Sequence, residues 1–298
     1  MRIFAWDDLE PFAVMNTLTA FIYLPAWIVA IVALLGRRFV LGTTALLIVG
    51  AQFAFLFPEI TAAQPVPRWA SHAQAIRLLD ANVYFRNPSM AGYVREIEAF
   101  KPQLVTMEEA TPLVAKMLED SGALGGLPYH LAIGANNAKA FFIASKYPLR
   151  GERMVNFEGI PLLVQTTMEL PSGPQALWVV HADAPIPDSF QLWKGELNYI
   201  AKLIAARRPN GLFVVGDFNA TWGSKGFRDI LDVGMTDGAA ARGHPFEMTW
   251  TQTRPPLPPF VRIDHVLTGS GVAVTTIRTD DGPGSDHRDL MATVAIRR

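Results

Sequence analysis

The chain has 298 residues, half of them hydrophobic and 18% charged, with a formal net charge of -1 and a mean hydropathy of +0.20. That composition excludes a disordered chain and is more apolar than an ordinary soluble enzyme. The even charge balance gives no global basic field for non-specific nucleic-acid binding. The absence of cysteine removes disulfides, zinc–thiolate sites, iron–sulfur clusters and cysteine nucleophiles.

The apolar excess lies at the front. Pro11 to Leu35 carries no charge, Gly36-Arg37-Arg38 interrupts, and Phe39 to Pro58 is again uncharged. A membrane span needs ~20 apolar residues, so both runs are long enough. Residues 1–60 are therefore predicted as a two-helix transmembrane hairpin, with spans at about 11–35 and 39–58. Pro25 is tolerable inside a span whose neighbours satisfy the freed carbonyl. Asp7, Asp8 and Glu10 make an acidic start, unlike the basic leader of a signal peptide. The alternative is a helical hairpin buried in a soluble protein. Arg37 and Arg38 form the densest cationic pair beside the spans, and such residues favour the cytoplasmic side. That puts the short loop inside and everything after Pro58 outside, with the lipid bilayer as a partner.

Residues 61–72, with Pro65 and Pro67, read as an extended linker. Residues 73–298 read as one near-neutral domain. Strands are predicted, in order, at Ile76–Phe85, Gln103–Met107, Ala140–Ala144, Leu162–Leu170, Ala176–Val180, Leu212–Val215, Val261–Leu267 and Leu290–Ile296. Ser89 is placed to cap a helix whose apolar positions are Tyr93, Val94, Ile97 and Phe100. Phe190, Trp193, Leu197, Ile200 and Ile204 mark one face of a longer helix. Pro255 to Pro259 signals a loop. Many strands with few helices suggest an α/β fold of stacked sheets flanked by helices.

Polar residues stand where several strands end. The strand Leu212–Val215 runs into Gly216-Asp217-Phe218-Asn219, and the period of two puts Asp217 and Asn219 on one face. Gly216 permits close backbone approach. The plainer alternative is a turn with both side chains bonded to the backbone. Gly284-Ser285-Asp286-His287 precedes the last strand, and an acid beside a histidine can hold a metal or polarise water, or be a satisfied loop pair. Asp264 is read opposite the apolar face of its strand, where a carboxylate can fix a histidine tautomer and stabilise its cation. His265 points the other way and reads as structural. His181 ends another strand, Asn82 interrupts an apolar one, and Glu109 follows Leu104–Met107.

This series of Asn82, Glu109, His181, Asp217-x-Asn219, Asp264 and Asp286-His287 resembles the endonuclease/exonuclease/phosphatase superfamily, over about Ile76 to Ile296. Gly216–Asn219, Arg262–His265 and Gly284–Arg288 are its strongest pieces. Ala144 to Leu149 is similar to the family's Ser-Arg-Tyr-Pro segment, with Lys146 replacing arginine. Glu108-Glu109 stands where the family has Gln-Glu, so Glu109 corresponds to the metal-binding glutamate and Glu108 is its rival. With the hairpin, the chain is similar to a bacterial membrane-anchored branch that includes proteins linked to glycopeptide-antibiotic resistance.

The resemblance implies a four-layered α/β/β/α sandwich of the deoxyribonuclease-I type; with the hairpin and the Arg37-Arg38 bias, the domain is expected on the extracytoplasmic side of a bacterial cytoplasmic membrane. It implies phosphoester hydrolysis helped by a divalent cation on Asn82, Glu109 and Asp286, hard donors that suit Mg²⁺ or Mn²⁺. Asp217 would orient or deprotonate the attacking water and Asn219 would help hold it. His287, oriented by Asp264, would contact the phosphate, with His181 as a second contact. The near-neutral domain speaks against a processive nuclease. Tethering raises the local concentration of membrane phosphates, which favours a phospholipid or lipid-linked phosphate. A membrane-anchored nuclease and a non-catalytic binding protein on the same fold are the alternatives.

Overall fold

A computed structural model describes residues 7–252 and 258–297. Met1 to Trp6, and Pro255, Pro256 and Leu257 of the expected loop, lie outside the described residues. The first apolar run is not one rod. It forms α1 (Glu10–Thr17), α2 (Thr19–Ile22) and α3 (Leu24–Leu35), with a 78° bend between Thr17 and Thr19. Proline has no N–H to give to the carbonyl four residues back and clashes with it. The helix accordingly restarts with Pro25 in its first turn. The Ala20 carbonyl near this break accepts from Gln52 Nε2 at 2.9 Å, and Gln52 Oε1 accepts from Trp27 Nε1 at 2.8 Å.

Gln52 belongs to α4 (Phe39–Ile60), which packs against α3. Gly42 makes room for Leu34 there, since a Cβ would stand 2.9 Å from its methyl carbon. Ile28, Val32, Leu35, Val40 and Leu47 remain exposed on the outer faces. By length and composition α4 qualifies to cross a membrane, and Glu10–Leu35 qualifies only if its bent parts count together. Of the two expected spans, α4 meets the test by itself and the 11–35 run only as a bent pair.

The chain continues through a short 3₁₀ turn at Arg68–His72, where an extended linker was expected. Then follow β1 (Gln74–Asn82), α5 (Ala91–Phe100), β2 (Leu104–Glu108), α6 (Pro112–Ser121), β3 (Tyr129–Ile133), β4 (Phe141–Ser145), β5 (Leu149–Phe157), β6 (Ile160–Leu170) and β7 (Gly173–His181). The second half comprises α7 (Phe190–Arg207), β8 (Leu212–Asp217), α8 (Lys225–Asp232), β9 (Thr236–Asp237), α9 (Gly238–Ala241), β10 (Asp264–Thr268), β11 (Val272–Asp280) and β12 (Asp289–Ile296). One sheet has the order β11-β12-β1-β2-β4-β3, the other β5-β6-β7-β8-β10-β9.

Strand alternation builds the layers. Ile76, Leu78, Leu104 and Ile143 face Leu177, Val179, Phe213 and Val215 between the sheets. The alternate residues Leu79, Val105 and Phe142 pack under α5 and α6, through Tyr93, Ile97, Val114 and Leu118. On the far side Val180, Leu212 and Val214 pack under α7 and α8, through Trp193, Leu197, Ile200 and Phe227. The order is helix, sheet, sheet, helix. Both faces of the central strands are buried, so no polar alternation marks them. This corrects the reading of Asp264. It shares the inter-sheet face with Val266, while Leu267 packs on the opposite side.

One buried ion-pair system and one hydrogen-bonded carboxylate fasten the N-terminal helices to this body. Arg262 is buried between Glu59 at the end of α4 (2.7 Å) and Asp237 (2.5 Å). Asp7 accepts the Lys225 N–H at 2.5 Å and Asn16 Nδ2 at 2.8 Å. Removing one partner of a buried pair costs about 3–5 kcal/mol. Arg262→Met should lose that much in denaturant unfolding of the detergent-solubilised chain. Glu59→Gln, which leaves Asp237 paired, should lose clearly less, and equal losses would contradict this account.

Candidate active site

The middle strands of both sheets end at one rim of the sandwich. β1 and β2 run parallel with Asn82 beside Glu108, and β7 and β8 run parallel with His181 beside Asp217. β10 is antiparallel to β8 and sets Asp264 against Asp217. Alternation points these side chains inward, continuing the rows that begin with Leu78, Leu104, Val179 and Val215.

Two left-handed turns then complete the rim, the first carrying Glu109, which alternation would send away, and the second Asn219, which shares the parity of Asp217. Glu109 has φ 56° and Asn219 φ 48°, left-handed conformations that cost an L-residue about 1–2 kcal/mol. The first swings the Glu109 carboxylate back over the rim. Its Oε2 accepts the Phe85 N–H at 3.0 Å and its Oε1 accepts Asn82 Nδ2 at 3.3 Å. The second returns Asn219 to Asp217, with backbone N–H to Oδ1 at 2.8 Å and Nδ2 to Oδ2 at 3.3 Å. Gly216 (φ 127°) is needed for close approach, because a Cβ would lie 2.2 Å from the Val180 carbonyl oxygen and 2.7 Å from Glu108 Oε1.

Asn82 joins the sheets by donating from Nδ2 to Asp217 Oδ2 at 3.1 Å. His287 Nδ1 lies 3.0 and 3.2 Å from the Asp264 carboxylate oxygens, and its Nε2 lies 3.8 Å from Asp217 Oδ2. His181 Nε2 is 3.8 Å from both Glu109 Oε1 and Asp217 Oδ2. Asn82, Glu109, His181, Asp217, Asn219, Asp264 and His287 thus form one connected set. Asp286 sits at its border. Its Oδ2 accepts from Trp250 Nε1 at 3.0 Å, and it reaches Glu109 and His287 through its charge. Among the described residues, Asp217, Asp264 and His287 are the acid–histidine group with ligand atoms all within 4.8 Å of one another.

Burial and crowding set the charges. Burial and then the Asp264 charge push Asp217 up to about 7. Burial raises Glu109, and raises Glu108 and Asp80 well above their ordinary values, with the Asp80 charge adding to the rise at Glu108 and the Asp264 charge to that at Asp80. Burial opposes charge on His287, but the Asp264 and Asp217 carboxylates outweigh it and hold the imidazole up to about 10. Burial and then the Lys139 and His287 charges push His181 well down. At neutral pH the rim therefore holds one imidazolium, one neutral imidazole and an aspartate near its midpoint. The Asn82 N–H stands between Glu109 Oε1 and Asp217 Oδ2, where the two carboxylates call for a positive pole. Carboxylate and amide oxygens form the donor set of a hard divalent cation.

Sequence reading missed Trp250, which holds Asp286 from 36 residues away with no local signal. It also passed over Ser285, although that residue lies inside the motif. Ser285 Oγ donates to the Asn82 carbonyl at 2.6 Å and accepts the His287 N–H at 3.0 Å, tying the last loop to β1. Lys139 donates to the His181 carbonyl at 3.1 Å. His265 is buried as expected, against the Ala220 carbonyl at 2.9 Å and Asp237 at 3.3 Å.

A two-sheet α/β sandwich with acids, amides and histidines at one rim is the architecture of a phosphoesterase class, and comparison agrees. The chain belongs to the Endonuclease/Exonuclease/phosphatase family, whose model matches residues 81–287. Members of this family hydrolyse phosphoester bonds and typically depend on a divalent metal. No curated protein matches the chain by sequence. Among solved structures it is similar to TDP2 of D. rerio complexed with single-strand DNA product, with TM-score 0.60 and 12% identity over 74% of this chain and 99% of that one. It is similar to the 3' phosphatase NExo from Neisseria bound to a product DNA hairpin, with TM-score 0.56 and 17% identity over 73% and 98%. Sphingomyelinase C from Streptomyces griseocarneus gives TM-score 0.56 and 15% identity over 74% and 99%. At such identities the likeness bears on fold.

The His287 charge depends on Asp264. Its raised pKa contributes stability that is fully present below the ordinary imidazole value of about 6.5 and is lost as pH rises through about 10. In Asp264→Asn the NMR-observed titration of His287 should fall toward the ordinary value. An unchanged titration would show that Asp264 does not hold the cation.

Proposed function

We propose that the chain is a membrane-anchored, divalent-cation-dependent phosphoester hydrolase acting on a phospholipid or a lipid-linked phosphate. The observation that carries the hydrolase reading is the buried Asp217, held by the Asn82 and Asn219 N–H groups with His287 Nε2 3.8 Å away; burial and the Asp264 charge push its carboxyl up to about 7. A general base works best with its pKa near the operating pH.

In this reading Asn82, Glu109 and Asp286 hold Mg²⁺ or Mn²⁺. Glu109 is preferred over Glu108 because Glu108 is fully buried beneath the rim, whereas Glu109 retains some exposure. A divalent cation held by these residues would supply positive charge against the phosphate and the leaving oxygen. Asp217, its carboxylate fixed by the Asn219 N–H, accepts a proton from water as the water oxygen bonds to phosphorus. The bond from phosphorus to the leaving oxygen breaks. His287 stabilises the extra negative charge, held in place by Asp264 as in other buried acid–histidine pairs. Neutral His181 donates a hydrogen bond to a second phosphate oxygen.

The membrane part of the proposal rests on α4 and on the apolar outer faces of α3 and α4. Arg37 and Arg38 favour the cytoplasmic side for the short loop, which sets the domain outside a bacterial cytoplasmic membrane. Substrates then arrive at the bilayer surface.

The test assays the purified full chain against phospholipids, isoprenoid pyrophosphates and DNA. Activity should vanish on chelation and return with Mg²⁺ or Mn²⁺. Asp217→Asn should lose about 10²–10⁴-fold in kcat with unchanged circular dichroism. Turnover retained in that variant would remove Asp217 from its role, and DNA cleavage with lipids untouched would leave an anchored nuclease.

A further inference from the structure

Beside Asn219 the rim opens into a groove of about 340 Å³. One wall is Val14 and Leu18, from α1 and the bend that follows it. The other is Pro185 and Ile186 after β7, with Phe260 and Ile263 before β10. Among the described residues, the polar side chains in its walls are Thr17, Asn219 and the indole of Trp250, and that indole already donates to Asp286. Asn219 bonds Asp217, so one end of the groove is the reaction centre. The opposite wall leads through the 78° bend into the apolar α3. Val14 and Ile186 are left 40% and 55% exposed along it.

Such walls discriminate by chemistry. A nucleobase or a peptide laid there would leave hydrogen-bonding groups unpaired, which is costly. A hydrocarbon chain has none to lose and buries its surface against both walls. We infer that this groove receives the hydrocarbon chain of an amphiphilic phosphoester whose phosphate sits at Asp217 and His287. The inference rests on the hydrolase reading and adds to it the determinant of substrate class. It also gives the broken first helix a task, because a straight rod would not turn Val14 and Leu18 toward the rim.

The experiment uses the full chain in detergent and alkyl p-nitrophenyl phosphodiesters from butyl to dodecyl. Each methylene that enters the groove should raise kcat/KM roughly fourfold, from the transfer free energy of a buried CH₂. Ile186→Glu and Val14→Glu change partly exposed positions and should lower the dodecyl-to-butyl ratio at least about tenfold. A ratio near one in the native chain, or one unchanged in both variants, would overturn the inference while leaving the hydrolase intact. A second readout is independent of turnover: photolabelling with a dodecyl phosphonate carrying a terminal diazirine. Label on peptides containing Val14, Ile186 or Phe260 is expected. Label confined to the outer faces of α3 and α4 would overturn the groove. Label in the groove without cleavage of any ester would support it and remove the hydrolase reading instead.

Discussion

The carboxylates of Asp80, Glu108, Asp217 and Asp264 face one another between two apolar sheets, and they cannot all be ionised there. That crowding governs the rim. Burial raises Asp80 and Glu108 well above their ordinary values, and Asp80 Oδ1 accepts from the Thr106 hydroxyl at 2.6 Å. The other two carboxylates face His287 and hold its imidazole up, while burial and the Asp264 charge push Asp217 up to about 7. A pKa near neutrality thus follows from three elements that do not touch in sequence: the end of β8, the start of β10 and the loop before β12.

The segment that leads into β10 and Asp264 also carries the attachment to the N-terminal helices. Arg262 lies two residues upstream, and its guanidinium bridges Glu59 of α4 and Asp237. Asp237 caps α9 through the Ala239 N–H at 3.0 Å and receives the Trp222 indole at 2.6 Å. Burial would push Asp237 up, but Arg262 and His265 hold it well below the usual carboxylate range. A fixed negative charge therefore sits at the join between the helices and the sandwich. With Asp7 bonded to the Lys225 N–H on another side, the helices are held at more than one point. That arrangement suits a domain whose rim must keep one face toward the apolar helices.

Much of this was legible because strand ends carry chemistry. Asp217, Asp264 and His287 could be named from Gly-Asp-Phe-Asn, Ile-Asp-His and Ser-Asp-His segments, since a buried apolar run that stops at a charge announces a rim. The sequence was also sufficient for β6, β7, β12 and α7, whose apolar periods are long. It failed for β3, β5 and β11. Their exposed positions, such as Arg153 in β5 and Tyr129 in β3, blur the alternation at the sheet edges. It also failed for α6, which begins from Thr111 and Pro112 rather than from an apolar stripe. Within the first apolar run Pro25 accounts for the restart at Leu24, and the Gln52 that satisfies a carbonyl near it lies 32 residues away; the 78° bend at Thr17–Thr19 had no signal in the residues.

The choice between Glu108 and Glu109 shows where sequence reasoning stops and backbone geometry begins. On a regular strand the period of two would give the inward position to Glu108 and send Glu109 outward. Glu108 does point inward, yet it lies so deep that its oxygens have no hydrogen-bond partner. Glu109 reaches the rim only because its φ is positive, and that conformation is maintained by the Phe85 N–H and Asn82 bonds to its carboxylate. On the other sheet Asn219 is also left-handed, although the alternation of an inward Asp217 and an outward Phe218 already gives it the inward side. Each sheet therefore presents one buried acid from the strand and one more exposed polar group from a left-handed turn just beyond it. The strand residues supply depth, which shifts proton affinity, and the turn residues supply reach, which brings oxygen and amide groups to whatever binds above. At Glu109 the left-handed backbone does what a regular strand cannot, since a strand does not point the consecutive residues Glu108 and Glu109 to the same side.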